Sequence, residues 1–432
     1  VIPASPAEAS NTTYSSELNR RNSSPYRDMR VRGLQLARPS AFKILLYSHD
    51  TFGLGNIRRT LLLTEELTRQ YGGAAVLVVT GSPMIHAFRI PEGVDYIKLP
   101  CLDRVDAEHY EPRFLYACAE EIRRTRSAIL KDAVLGFDPD LVIVDKRPAG
   151  VDGELLETLE ALKGRAKQAK LVLGVRDILD EPERTRRVLR ENGSFETIER
   201  FYDEVWIYGS QAVFDTAREY EFPDSVRRKT FFCGYLKRPT VTAARDGGPP
   251  RVLVTTGGGG DGGDIIEAYL EGLACLPRST ALRSTVVFGP QMPEKRRDDL
   301  LARFRYLADV TFLDFEPDLT KHYAESDVVI SLAGYNTVCE LLSFSRRAIL
   351  VPRAEPVREQ LIRARLLAAR GYFDLVEPQD LRPDLLISKV LDALKPTPVA
   401  VPPFDLDGLP RIRERVRALL EEEGTCAPVS SR

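Results

Sequence analysis

"RVLVTTGGGGDGGD", residues 251–264, sets a short apolar run against four consecutive glycines and a polar turn that opens a helical pattern. An apolar run without alternation is a strand covered on both faces, as in a parallel sheet between two layers of helices. Glycines at its carboxyl end let backbone N–H groups approach a ligand, and the helix N-terminus that follows favours an anion. The spacing is neither GxGxxG with a later ribose-binding acid nor GxxxxGK[ST], so neither a dinucleotide fingerprint nor a P-loop follows from it. Taken alone, the stretch also fits a plain turn. Asp261, inside the loop, would repel a phosphate if it pointed inward and is expected to face a hydroxyl or solvent.

Outward from this stretch the same junction recurs. "SLAGYNTVCELL" (331–342) opens its turn at Gly334, offers Asn336 or Thr337 as a helix N-cap, and places Glu340 about one turn further on. A carboxylate there can accept two hydrogen bonds from a ribose diol, and a solvated helix glutamate is the plain alternative. "VPRAEPVREQ" (351–360) ends a strand in a polar loop and opens a helix with Glu359 and Gln360. Further apolar runs at 284–290, 310–315, 327–334, 348–352 and 374–378 alternate with helical stretches, the pattern of a doubly wound unit.

The first half of the chain repeats the pattern. Strands are expected at 43–48, 74–81, 140–146, 170–177, 204–210 and 229–236, and helices near 57–70, 113–135, 153–168 and 211–220. "RPTVTAARDGGPP" (238–250) breaks the alternation and reads as a linker. The expected organisation is a tail (1–40), a Rossmann-like domain (41–237), the linker, a second such domain (251–395), and a closing helix and tail (396–432). The helix near 408–423 fits either domain. Two doubly wound sheets facing each other leave a cleft at the carboxyl ends of their strands, where ligands bind in open α/β sheets.

Composition narrows the function classes. The 432 residues are 43% hydrophobic and 29% charged, with a net charge of −2, which gives no global argument for nucleic acid or acidic lipid. Six cysteines lie far apart with no CxxC pair, and four histidines lie in no metal-ligand spacing. No bound metal and no cofactor are expected, and the thiols read as buried and reduced, in keeping with a cytoplasmic protein. No run approaches the ~20 apolar residues of a membrane span. The Ser-, Asn- and Arg-rich first forty residues have no apolar signal core and read as a flexible tail. Peripheral contact of that basic tail with the inner face of a membrane is the alternative. "RRTRS" (123–127) reads as a solvated face, and Arg176 and Asp177 as a loop salt bridge or an acceptor contact.

The three junctions of the second half, in their order and spacing, resemble the C-terminal domain of glycosyltransferase family 28, the family of the peptidoglycan N-acetylglucosaminyltransferases. "SHDTFGLGNIRRTLLLTEEL" (48–67) and "GYL" (234–236) extend the resemblance to the first domain, and to bacterial glycosyltransferases carrying YSHDTxGLGHxRR. The resemblance implies the GT-B fold, two facing Rossmann-like domains with a nucleotide sugar held mainly by the second. It implies an inverting, metal-independent transfer of a sugar to an acceptor hydroxyl. UDP-sugar is favoured as donor and dTDP-sugar second. By position, the backbone at Phe315 would meet the nucleobase and Glu340 the ribose. Gly258, Gly259, Gly260 and Thr337 would line the diphosphate, and Glu359 and Gln360 would face the sugar. Gly260 stands where a serine is common. The acceptor is open between a lipid-linked sugar, a cell-envelope glycan and a secondary metabolite, and so is the oligomeric state.

The loop at 48–59 then faces the donor. Gly53 and Gly55 would let it pass close to the diphosphate or acceptor. Asn56 stands where the resembled proteins usually have histidine, and an amide cannot act as a base near neutral pH. His49 and Asp50 are the first candidates for the base and Asp145, ending "DLVIVDK" (140–146), the third. With Asn56 in place, three accounts stand: another base with Asn56 as a positioning group, an acceptor needing little base help, or binding without turnover. A non-catalytic nucleotide-sugar-binding subunit and a nucleotide-sugar 2-epimerase are the rival functions.

Overall fold

The computed structural model describes residues 42–49, 54–71, 73–105, 110–166, 168–242, 247–277, 279–395 and 404–421. The proposed tail, Asp50, Gly53 and Cys426 lie outside them. In the first lobe, β1 (Lys43–Ser48), α1 (Gly55–Gln70), β2 (Ala75–Thr80) and β3 (Val94–Lys98) are followed by a small hairpin, β4 (Leu102–Arg104) and β5 (Tyr110–Pro112). Then come α2 (Ala119–Phe137), β6 (Leu141–Asp145), α3 (Leu156–Lys163), β7 (Lys170–Arg176), α4 (Pro182–Glu191), α5 (Ser194–Phe201), β8 (Glu204–Tyr208), α6 (Thr216–Glu219), α7 (Asp224–Arg227) and β9 (Thr230–Phe232). The second lobe runs β10 (Arg251–Thr255), α8 (Gly263–Ala274), β11 (Arg283–Val287), α9 (Glu294–Phe304), β12 (Val310–Leu313), α10 (Thr320–Glu325), β13 (Val328–Ser331), α11 (Tyr335–Ser343), β14 (Arg347–Leu350), α12 (Glu359–Ala368), β15 (Asp374–Leu375), α13 (Pro383–Leu394) and α14 (Gly408–Glu421).

Both sheets are parallel, in the orders β3-β2-β1-β6-β7-β8-β9 and β12-β11-β10-β13-β14-β15. In each, the strand order reverses beside the first strand, β1 or β10, which leaves a crevice at the carboxyl end of that strand. The loops at His49 and Gly257 leave from those two crevices. This is the GT-B architecture. Apolar cores line the faces of both sheets, and a third cluster runs through both lobes, from Ile44 and Trp206 by way of Tyr235 and Tyr335 to Val329 and Leu350. The Tyr235 and Tyr335 rings stack with centroids 5.9 Å apart.

Several expectations change. Helix α2 starts at Ala119, because 110–112 is a strand of the hairpin. Only 216–219 of the expected 211–220 helix is α-helical. Arg126 of "RRTRS" is not solvated: it lies fully buried against Glu154, which also accepts from Tyr47. Of the five described cysteines, Cys118 and Cys275 are exposed. Helix α14 belongs with the first lobe. It buries Ile412, Val416 and Leu419, and its Arg415 Nε lies 3.0 Å from Glu204 at the start of β8. Arg413 Nε lies 3.1 Å from Glu66 on α1. Among the described residues no helix is long and apolar enough to cross a membrane.

Candidate functional site

The cleft between the lobes encloses about 1470 Å³, open to solvent. From the second lobe it is lined by the loop Gly257–Asp261, by Phe315, by Gly334, Asn336 and Thr337 at the start of α11, and by Glu359 and Gln360 at the start of α12. From the first it is lined by His49, Gly55, Asn56, Arg58, Arg59 and Lys146. Eleven of the residues singled out in the sequence as donor-binding therefore meet in one space with His49 and Asn56.

The glycine loop has a packing reason of its own. Gly257 and Gly259 adopt φ of 62° and 93°, a region that side chains other than glycine enter at a cost. A Cβ on Gly259 would stand 2.4 Å from the Phe288 carbonyl oxygen, and one on Gly289 would stand 2.6 Å from the Gly257 oxygen. Two loops, one after β10 and one after β11, are thus packed backbone against backbone, and Gln291 N–H donates to the Gly258 oxygen at 2.7 Å. Asp261 is exposed to solvent, and its carboxylate accepts from Arg353 Nη1 at 2.7 Å.

At α11 the sequence expectation is corrected. Gly334, in extended backbone, precedes the helix, Tyr335 begins it, and no side chain caps it. Asn336 is therefore inside the first turn, and its amide reaches the other lobe. Its Nδ2 donates to the Gly55 oxygen at 2.7 Å, and its Oδ1 accepts from Arg238 Nη2 at 2.7 Å. Glu340, one turn on, is not solvated but 5% exposed, and forms an ion pair with Arg58 of α1. It does not line the cleft directly; Arg58 does.

Glu359 is held the same way. Its carboxylate lies 2.6 Å from Arg176 Nη1, with Arg363 and Arg353 at 3.7 and 3.9 Å. Burial alone would raise its pKa; the guanidiniums of Arg176 and Arg363, then Lys146 and Arg353, outweigh burial and hold it down to about 2. Behind it Arg363 and Asp177, both fully buried, form a two-pronged pair across the lobes at 2.8 and 3.1 Å, and Tyr235 OH donates to the same carboxylate at 2.9 Å.

On the first lobe, Asp145 is paired with Arg59 (Nη2 2.5 Å, Nε 3.2 Å to Oδ1) and does not line the cleft. That geometry makes it the counter-ion of a buried guanidinium. Arg59 Nη2 also donates to Asn56 Oδ1 at 3.1 Å. A guanidinium has only donors, so the Asn56 oxygen must turn toward it, and its NH₂ is the group left for the cleft. His49 is 3% exposed, and its Nδ1 has no hydrogen-bond partner. Burial lowers its pKa well below 6.5, and the charges of Lys146, Arg147, Arg126 and Arg59 lower it further. The imidazole is neutral at physiological pH, the form that can accept a proton.

A second cavity of about 1300 Å³ adjoins the cleft and shares Lys146, Leu179 and Val357 with it. Its walls mix the apolar Leu156, Val188 and Leu189 with Arg147 and Arg184.

Residues 252–402 match the glycosyltransferase family 28 C-terminal domain. The chain is also 33% identical over 84 residues to the UDP-N-acetylglucosamine–N-acetylmuramyl-(pentapeptide) pyrophosphoryl-undecaprenol N-acetylglucosamine transferase of Haemophilus influenzae, 19% of this chain and 24% of that one. The match thus spans about a quarter of that relative's length. Among solved structures, MurG of Acinetobacter baumannii is 16% identical, covers 87% of this chain and 99% of its own, and superposes with a TM-score of 0.53. A putative UDP-N-acetylglucosamine 2-epimerase from Listeria monocytogenes is 12% identical, covers 90% and 99%, and gives 0.57. At such identities the likeness establishes the GT-B fold alone, which transferases and epimerases share. It is the match over residues 252–402 that relates the second lobe to family 28.

Arg58, Arg59, Arg238 and Arg363 are cleft and inter-lobe residues that the sequence left unassigned, and the pair "IRR" in the loop at 48–59 was the only signal for the first two. Arg176 and Asp177, read as a loop salt bridge or an acceptor contact, pair instead across the lobes, with Glu359 and Arg363. Among the described residues no group of three or more His, Cys, Asp or Glu is arranged to hold a metal ion.

Proposed function

We propose that the protein transfers a sugar from a nucleoside diphosphate sugar, UDP-sugar first and dTDP-sugar second, to an acceptor hydroxyl with inversion and without a metal. One observation carries this reading: a neutral, buried histidine and a glycine loop at a helix start face one cleft from opposite lobes. The match of residues 252–402 supports the donor side. The acceptor oxygen attacks the anomeric carbon, and His49 takes its proton. The bond from that carbon to the phosphate oxygen breaks, and the electron pair leaves with the nucleoside diphosphate. N–H groups of Gly258 and Gly260 and of Thr337 at the start of α11 would stabilise the growing charge, while the Gly259 N–H holds the loop through the Thr256 oxygen. Phe315 would meet the base, and Glu359 and Gln360 the sugar. Asn56 is a positioning donor, not the base. The adjoining cavity, which meets the cleft at Lys146, Leu179 and Val357, gives an acceptor room that an acceptor-free epimerase would not need.

The test is a panel of nucleotide sugars followed by NMR, with and without hydroxylated acceptors. Acceptor-dependent release of the nucleoside diphosphate supports the reading. Interconversion of two donor sugars without an acceptor would replace it with epimerisation, and binding with no turnover under any condition with the helper-subunit reading.

A further inference from the structure

The N-terminus of α1 carries two adjacent arginines at the end of a helix where the dipole disfavours cations. Each is matched to one carboxylate, Arg59 to Asp145 within its own lobe and Arg58 to Glu340 across the cleft. The two pairs differ in what surrounds them. Arg59 is 1% exposed, whereas the Arg58 side chain is 21% exposed and lines the cleft. Glu340 is 5% exposed, and the buried Tyr323 hydroxyl lies against the same carboxylate. Arg238, on the segment joining the lobes, donates to the Arg58 carbonyl at 3.3 Å and to Asn336 Oδ1 at 2.7 Å, and Asn336 donates back to Gly55. The starts of α1 and α11 are thus tied together, and the carboxylate read as the ribose acceptor is paired with Arg58.

We infer that Arg58 is a displaceable occupant of the ribose site that changes partner when the donor binds. It rests on the reading of Glu340 as the acceptor of the ribose diol. A diol needs a carboxylate whose oxygens are open to it, and a guanidinium supplies the same two-donor pattern. The diol takes Glu340, and Arg58, already on the cleft wall that faces the Gly257–Asp261 loop, turns to the incoming diphosphate. Charge balances before and after: guanidinium with carboxylate in the pair seen here, guanidinium with diphosphate and carboxylate with two hydroxyls in the complex. Arg58 thereby keeps Glu340 from ligands that bring only a nucleoside and favours those that bring both diol and diphosphate. The device makes selectivity depend on two groups at once.

The experiment is calorimetric titration of uridine, UDP and 2′,3′-dideoxy-UDP into the full chain, as wild type, Arg58→Ala and Glu340→Gln. Wild type should prefer UDP to uridine and to the dideoxy compound by about tenfold or more each, the scale of a charge-assisted hydrogen bond. In Arg58→Ala, uridine should bind several-fold more tightly than to wild type while the UDP-to-uridine ratio falls about tenfold. Glu340→Gln keeps the shape of the site should Arg58→Ala fold poorly; in it the preference for UDP over the dideoxy compound should vanish. Wild-type selectivity retained in both folded variants overturns the exchange and leaves the nucleotide site standing. No binding of any of the three, nor of the dTDP and GDP counterparts, to folded wild type or variant overturns both.

Discussion

At the residue scale the account turns on His49. Its pKa lies below 6.5, so it is base-competent above that value and the acid limb of kcat/KM should fall below pH 6.5, with no loss between pH 7.5 and 6.5. A pH–rate profile checks this; an acid limb centred near or above 6.5 would assign the base elsewhere. The same shift acts on stability. The unfolded imidazole takes a proton as pH falls below 6.5 while the folded one stays neutral, so His49 contributes stability above that pH and loses it below. His49→Ala should lower kcat by roughly 10²–10⁴ and leave nucleotide affinity nearly unchanged, read from single-turnover kinetics and titration. His49 itself was legible as a candidate because a strand's carboxyl end is where such groups sit. Its neutrality was not, because it comes first from burial and then from Lys146, Arg147 and Arg126, which lie in distant parts of the chain.

At the scale of elements, the glycine loop was legible in type and placement, since an apolar run ending in glycines has few other structural uses. Hidden was the reason for each glycine: Gly259 and Gly289 make room for each other's backbones across 30 residues of sequence. Gly289→Ala, outside the cleft, should therefore weaken nucleotide binding much as Gly259→Ala does, each with a stability cost of about 1–3 kcal/mol by denaturant unfolding. Binding unchanged in Gly289→Ala would show the loop to be independent of its support. The N-cap expectation at Asn336 failed for a related reason. Helix-start chemistry in sequence cannot show that the amide is needed 281 residues away, at Gly55.

At the scale of the molecule, two parallel doubly wound sheets followed from periodicity, whereas their strand order and the bond between the lobes did not. It is made by arginines whose partners lie in the other half of the chain: Arg363 with Asp177, Arg176 with Glu359, and Arg58 with Glu340. Removing one member of a fully buried pair leaves an uncompensated charge, so Asp177→Ala should cost about 3–5 kcal/mol in chemical denaturation. A loss near zero would mean that the lobes are not held there. Deleting 404–432 removes α14 and uncovers Glu66 and Glu204, so hydrogen exchange should rise around α1 and β8 and not in β10–β14. The central claim is that the cleft holds a nucleoside diphosphate on the glycine loop, and its direct measurement is calorimetric titration of UDP, dTDP and GDP into wild type and Gly259→Ala. The account predicts stoichiometric binding of one of them to wild type and its loss in the variant. Folded wild-type protein that binds none of them, or a variant that binds as well as wild type, would contradict it.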